Sequence, residues 1–301
     1  MHEKRTGTAL AILAAALYAL NAPFSKHLLA HAGPTMMAAL LYLGAGLGLI
    51  LYSLGEKALG KQARRAPLTK AELPYTVAMV LLDIAAPILL MLGIARTTAA
   101  NASLLNNFEI VATSLIALFL FKEHVSRRLG FAIVLVTIAS IILGFQGRGS
   151  LSFDIGSLFV LGACICWGFE NNCTRMLSSK SSVQITVIKG CFSGLGSLIV
   201  ALLLGEKLPA TLWLLCILAL GFVAYGLSIN FYIMAQSHLG AAKTSAFYSI
   251  APFLGVVFSM VLGERPGLQF YLGLLVMVFA THLMIRDTLD DPSQQTETSA
   301  E

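Results

Sequence analysis

Three carboxylates stand in apolar surroundings, where a charge is expensive: Asp83 in LLDIAAP, Glu109 in NNFEIVA and Glu170 in GFENNC. An ionisable group at bilayer depth marks a path for substrate, ion or proton, unless it is bonded to its neighbours and only locks helices together. Two bases, Lys189 and Lys243, share such surroundings, and Lys243 is near one end of its apolar stretch, where its ammonium can reach water. Acid therefore exceeds base, which suits a cavity that holds cations or protons. A carboxylate gives an amine a charge-assisted bond, and Trp167, three residues before Glu170, adds an aromatic face for a cation.

Helical spacing gathers more polar residues around these carboxylates. Asn106, Glu109 and Thr113 share one helix face, as do Trp167, Glu170, Asn171 and Thr174. Tyr225, Ser228, Tyr232 and Gln236 form a third stripe. A polar stripe in a membrane helix faces protein or water, so the three stripes are expected to line one cavity. The competing use is interhelical hydrogen bonding, on the order of 1 kcal/mol per bond in a membrane. The candidate substrate-binding or proton-coupling set is Glu109, Glu170, Asp83, Asn106, Asn171, Asn21, Trp167, Tyr225 and Tyr248. No catalytic residue, metal site or cofactor is expected. The chain has no HExxH, no Walker-type phosphate loop and no CxxC, and its five cysteines all lie in apolar stretches. A membrane-embedded enzyme lacks its chemistry here. A cation-conducting channel is the alternative to a carrier.

The elements that must position these residues follow from composition. The chain is 57% hydrophobic and 12% charged, with mean hydropathy +0.81, against about 25% charge in a soluble domain. So little polar surface cannot coat a water-soluble globule. An all-α polytopic membrane protein is expected, with ten spans near 7–30, 35–55, 73–95, 98–121, 128–146, 154–178, 183–205, 210–236, 241–262 and 268–286. The net charge of +5 resides in short loops, so it reads as a topology signal and not as a nucleic-acid surface. Most of the 20 lysines and arginines fall on one side if the N-terminus is cytoplasmic. Both termini are therefore expected in the cytoplasm.

The halves repeat. Ala95–Glu123 lies over Ala235–Glu264, with Glu123 on Glu264 and Ser103 on Thr244, and LYALNAPFSK (17–26) lies over CWGFENNCTR (166–175), with Asn21 on Glu170. The expected units are 1–147 and 148–286, followed by a disordered polar tail, 287–301. An odd number of spans per unit makes the repeats inverted, with a site where they meet. Pro23, Pro87 and Pro252 interrupt spans and are expected to be hinges or fixed kinks. Gly44 and Gly48, and Gly190 and Gly194, form GxxxG pairs for close packing, within a monomer or between two copies in a homodimer.

On LYALNAPFSK, CWGFENNCTR, FLFKEHVSRRLG and MVLGERPGLQFYLG, the chain resembles the EamA branch of the drug/metabolite transporter superfamily over about residues 7–286. Trp167-Gly168 matches the Trp-Gly often found in the first span of each half, whereas Tyr18-Ala19 departs from it. The resemblance implies a secondary or facilitative transporter, an exporter of a small metabolite across a bacterial inner membrane. The carboxylates favour a cationic or zwitterionic substrate such as an amino acid or amine, with protons as a possible coupling ion.

Overall fold

In hydrocarbon each backbone N–H and C=O must be satisfied within its own segment, so an apolar chain of this kind folds as helices. The computed structural model describes residues 2–58, 67–121, 126–144, 154–177, 180–239, 244 and 247–290, and among these residues the regular structure is entirely helical. Lys243 and residues 291–301 of the expected tail lie outside the described residues; the last helix runs on to Asp290.

The first half holds α1 (His2–Ala19), α2 (Asn21–Leu28), α3 (Pro34–Ala58), α4 (Leu73–Arg96), α5 (Ala99–Leu105), α6 (Phe108–Phe121) and α7 (Arg127–Gly144). The second holds α8 (Ile155–Met176), α9 (Ser182–Ile188), a π-helical turn at Lys189–Ser193, α10 (Gly194–Leu203) and α11 (Thr211–Gly221). A second π-helical turn at Phe222–Leu227 follows, then α12 (Ser228–Leu239), α13 (Ala251–Val261) and α14 (Leu268–Asp290). Among the described residues eight helical stretches are long and apolar enough to cross a membrane; α13, with 11 residues, is shorter. Large apolar side chains such as Leu203 (82% exposed) and Leu268 (78%) face outward, where lipid covers them.

The halves pack with exchanged roles. α4 packs on α8, and α12 on α1; α3 meets α10, and α7 meets α14. These are the pairings a two-fold repeat produces, because third-with-sixth and eighth-with-first spans are the same contact seen from either half. Glycine makes the closest approaches. A Cβ at Gly44 would enter the Leu218 backbone, and one at Gly190 would enter the Gly46 backbone. The GxxxG surfaces of the second and seventh spans are thus used inside the monomer.

Charge and backbone polarity hold the face that carries residues 29–34, 96–99, 203–211 and 262–268. α10 and α13 each end on a glycine with positive φ, Gly205 (75°) and Gly263 (99°), a conformation that favours glycine at a helix stop. The next residue in each case is a glutamate that caps a helix of the other half. Glu206 accepts from the Thr35 and Met36 N–H groups (3.3 and 2.6 Å), and Glu264 from those of Ala99 and Ala100 (both 2.8 Å). Lys26 donates to the carbonyls of Ile94, Ala95 and Thr97 at the end of α4 (2.6, 3.3 and 2.6 Å). His31 stacks on Trp213 with centroids 3.6 Å apart.

Prolines divide by position. Pro87 lies inside the continuous helix α4, whereas Pro23 sits in the first turn of α2 and Pro252 at the start of α13. At a helix start the missing N–H is not needed, so the last two mark starts rather than bends.

Candidate functional site

The three carboxylates, Asp83 and Glu170 buried and Glu109 half-buried, do not form one cluster; they divide into two. In the first, Lys189 lies 2.7 Å from Glu170 Oε1 and 3.5 Å from Asp83 Oδ2. The Tyr42 hydroxyl donates to Asp83 Oδ1 (3.1 Å), Trp167 Nε1 donates to that hydroxyl (3.4 Å), and Thr174 donates to Glu170. Asp83 and Glu170 are 1% and 2% exposed, against 18% for the lysine side chain. An ion cluster this deep is tolerable only because its charges are paired and bonded.

In the second, Glu109 accepts from Asn171 Nδ2 (2.7 Å), which also reaches Thr113 Oγ1 (3.2 Å). Among the described residues the Glu109 carboxylate has this one neutral partner and no ion pair. The two clusters draw on consecutive residues of helix α8, Glu170 for the first and Asn171 for the second. Tyr18, Tyr225 and Tyr248 lie within electrostatic reach of Glu109. Their rings join those of Tyr42 and Tyr232 in one aromatic group, with centroid separations of 5.8 Å (Tyr18–Tyr225), 5.9 Å (Tyr18–Tyr248), 5.4 Å (Tyr42–Tyr225) and 5.0 Å (Tyr232–Tyr248). Asn21 Nδ2 donates to Tyr225 OH at 2.9 Å, and Ser228 bonds both the Ala14 carbonyl and Tyr248 OH.

A small cavity of about 10 Å³ adjoins the aromatic group, lined by Tyr18, Asn21, Ser103, Asn106, Pro252 and Gly255 with intervening alanines. Three helix interruptions meet here: Leu20 between α1 and α2, Asn106-Asn107 between α5 and α6, and Ser249-Ile250 before α13. Interrupted helices at membrane depth are tolerated where they line a cavity.

The nine candidates are thus not equivalent. Asp83, Glu170 and Trp167 join the ion cluster, Glu109 and Asn171 form the second, and Asn21, Tyr225, Tyr248 and Asn106 lie around the tyrosines or the cavity. The expected stripe of Asn106, Glu109 and Thr113 is cut by the helix break, and Asn106 turns to the cavity. The third stripe is shifted by the π turn that carries Tyr225, and the Gln236 side chain lies outside the described residues. Missing from the set were Lys189, Tyr42, Tyr18 and Asn172, the last donating to the Gly168 and Thr113 carbonyls. Lys189 was visible as a rare base at depth. Tyr42, in LLYLGAG, gave no polar signal. Among the described residues no group of three His, Cys, Asp or Glu side chains is placed to hold a metal.

Apolar helices long enough to cross a bilayer, closed around an ionised and aromatic centre, define a multi-pass membrane protein of the transporter class. The chain belongs to the EamA-like transporter family, within the drug/metabolite transporter superfamily; the family matches residues 5–145 and again 154–286. It is 25% identical over 272 residues to an uncharacterized transporter of Methanothermobacter thermautotrophicus, covering 85% of this chain and 78% of that protein. It is 22% identical over 253 residues to the uncharacterized transporter YyaM of Bacillus subtilis, covering 79% of this chain and 80% of the other. A protein crystal structure shares the fold with a TM-score of 0.67 at 16% identity, over 95% of this chain and 98% of that one. The chain is therefore a membrane transporter, with a small-molecule substrate and the lipid bilayer as partners.

Proposed function

We propose that the protein is a secondary active or facilitative carrier that exports a small cationic or zwitterionic metabolite, an amine or amino acid, across a bacterial cytoplasmic membrane by alternating access. Residues 1–147 and 148–286 act as two inverted five-span repeats with both termini cytoplasmic. The two together make ten spans, with α8 as the sixth and α13 within the ninth. The observation that supports the substrate class is Glu109. It is a carboxylate with one neutral bond, facing a group of tyrosines from both halves. An ammonium group satisfies that carboxylate and gains the negative faces of the rings. Lys189 already neutralises one charge of the other cluster, which leaves Glu109 as the open site. A carrier also suits an interior in which helix breaks from both halves meet.

The test is a thermal-shift screen of purified protein in detergent against amines, amino acids, nucleobases and sugar phosphates. A ligand that binds the folded state raises the melting temperature by mass action. Amines or amino acids are expected to stabilise the wild type. Glu109→Gln should lower the affinity at least about tenfold, which corresponds to about 1.4 kcal/mol. Stabilisation by an anionic class alone, undiminished in Glu109→Gln, overturns the assignment. In vesicles, flux of the identified amine that saturates and shows counterflow marks a carrier; flux that never saturates marks a channel.

A further inference from the structure

We propose that Asp83, Lys189 and Glu170 form a proton-exchange site separate from the substrate carboxylate, with Asp83 Oδ2 as the atom that takes the proton. This deepens the transporter reading above and rests on it. The two oxygens of Asp83 are differently employed. Oδ1 accepts from Tyr42, while Oδ2 is fully buried and has no hydrogen-bond partner among the described residues. Its nearest charge is the Lys189 ammonium at 3.5 Å, which is held more closely by Glu170 at 2.7 Å. A buried carboxylate oxygen left without a hydrogen bond carries a desolvation cost that a proton removes.

The groups facing Asp83 come from several elements: Tyr42 from α3, Glu170 from α8, Lys189 from the first π turn and Tyr225 from the second, with Glu109 further off beyond α8. Lys189 is the one cation among them. With Asp83 and Glu170 both ionised the cluster carries one net negative charge; with a proton on Asp83 Oδ2 it is neutral. The step is a simple transfer. A hydronium ion reaching the cluster on the side where Lys189 is accessible gives its proton to Oδ2 and leaves as water, Lys189 remains an ammonium, and its contact shifts wholly to Glu170. When the proton returns to water, the ammonium is again shared between the two carboxylates.

The position of the cluster gives this step a mechanical reach. Asp83 belongs to the first half, and Lys189 and Glu170 to the second, so the shared ammonium ties the halves in one protonation state and not in the other. Lys189 stands on a π-helical turn, a local feature frequent at functional sites. Its side chain is also the most accessible of the three. A cation arriving at Glu109 meets one more negative charge nearby when Asp83 is ionised. Proton and cationic substrate therefore compete, and one exchanges for the other.

The experiment is infrared difference spectroscopy of the full-length protein in detergent, titrated with acid and base alone, without substrate. In Glu109→Gln, which removes the other weakly bonded interior carboxyl, a protonated-carboxyl C=O band should remain that disappears as pH rises through neutrality, and it should be absent from Glu109→Gln/Asp83→Asn. In Lys189→Met the band should persist to higher pH, because no ammonium competes for Oδ2. Tyr42→Phe should move its frequency, since the same carboxyl loses a hydrogen bond; this variant gives the reading if Asp83→Asn does not assemble. No such band in Glu109→Gln, a band that survives Glu109→Gln/Asp83→Asn, or one indifferent to both Lys189→Met and Tyr42→Phe overturns the proposal. The substrate reading is unaffected by any of these outcomes, because it stands or falls on the thermal shift of Glu109→Gln.

Discussion

Removing the Lys189 ammonium leaves Asp83 and Glu170 as two buried carboxylates with no cation between them. Breaking a buried ion pair from one side costs about 3–5 kcal/mol in soluble proteins, because the remaining charge is stranded. Lys189→Met is therefore expected to melt well below the wild type at neutral pH, and Lys189→Met/Asp83→Asn should recover some of the loss. Strictly additive effects of the two substitutions would show that the groups do not interact. This coupling was only half legible in the sequence. Carboxylates inside apolar stretches announce themselves, and so does a lone lysine. That Lys189 serves Asp83 and Glu170, while Glu109 has only Asn171, depends on which way each helix faces. Tyr42 was illegible because its hydroxyl is one polar atom on a ring that otherwise reads as core.

Helix ends carry a second layer of design. Gly-Glu pairs stand at 205–206 and 263–264. The structure supplies the reason for the pairing of types: glycine turns the chain out of its helix, and glutamate then satisfies two amides at the start of a helix in the other half. Helix starts leave N–H groups unpaired, and a carboxylate there also meets the positive end of the helix dipole. Glu264→Ala should cost about 1 kcal/mol, the usual size of a lost cap. Glu264→Gln should keep most of that, since an amide oxygen still accepts. Melting of the two variants side by side separates a cap from a mere surface charge; equal losses would sink the capping account. Interruptions inside spans were harder to see. Hydropathy runs on across Leu20 and Asn106, so periodicity carried the Asn106–Glu109–Thr113 stripe over a break, and a π turn shifts the register while leaving composition unchanged.

At the scale of the molecule, the repeat was read from matching segments, and the family matches the chain twice, over residues 5–145 and 154–286. α4 packs on α8 as α12 packs on α1, and under the carrier mechanism proposed above the two halves rock about the centre while exchanging such contacts. Such rocking must open a face of the molecule to admit substrate. The face held by Glu206, Glu264 and the His31–Trp213 stack is closed in this structure, and each of these contacts joins a first-half element to a second-half one. A Cβ at Gly33 would fall against the Glu206 side chain, so the two positions are close enough for a bridge. In a background without the five native cysteines, Gly33→Cys/Glu206→Cys should form a disulfide on oxidation. The oxidised protein should still show the ligand-induced thermal shift, yet transport should stop, and a reductant should restore it. Undiminished transport with the bridge intact would mean that this face does not open, and that substrate passes without the halves separating there.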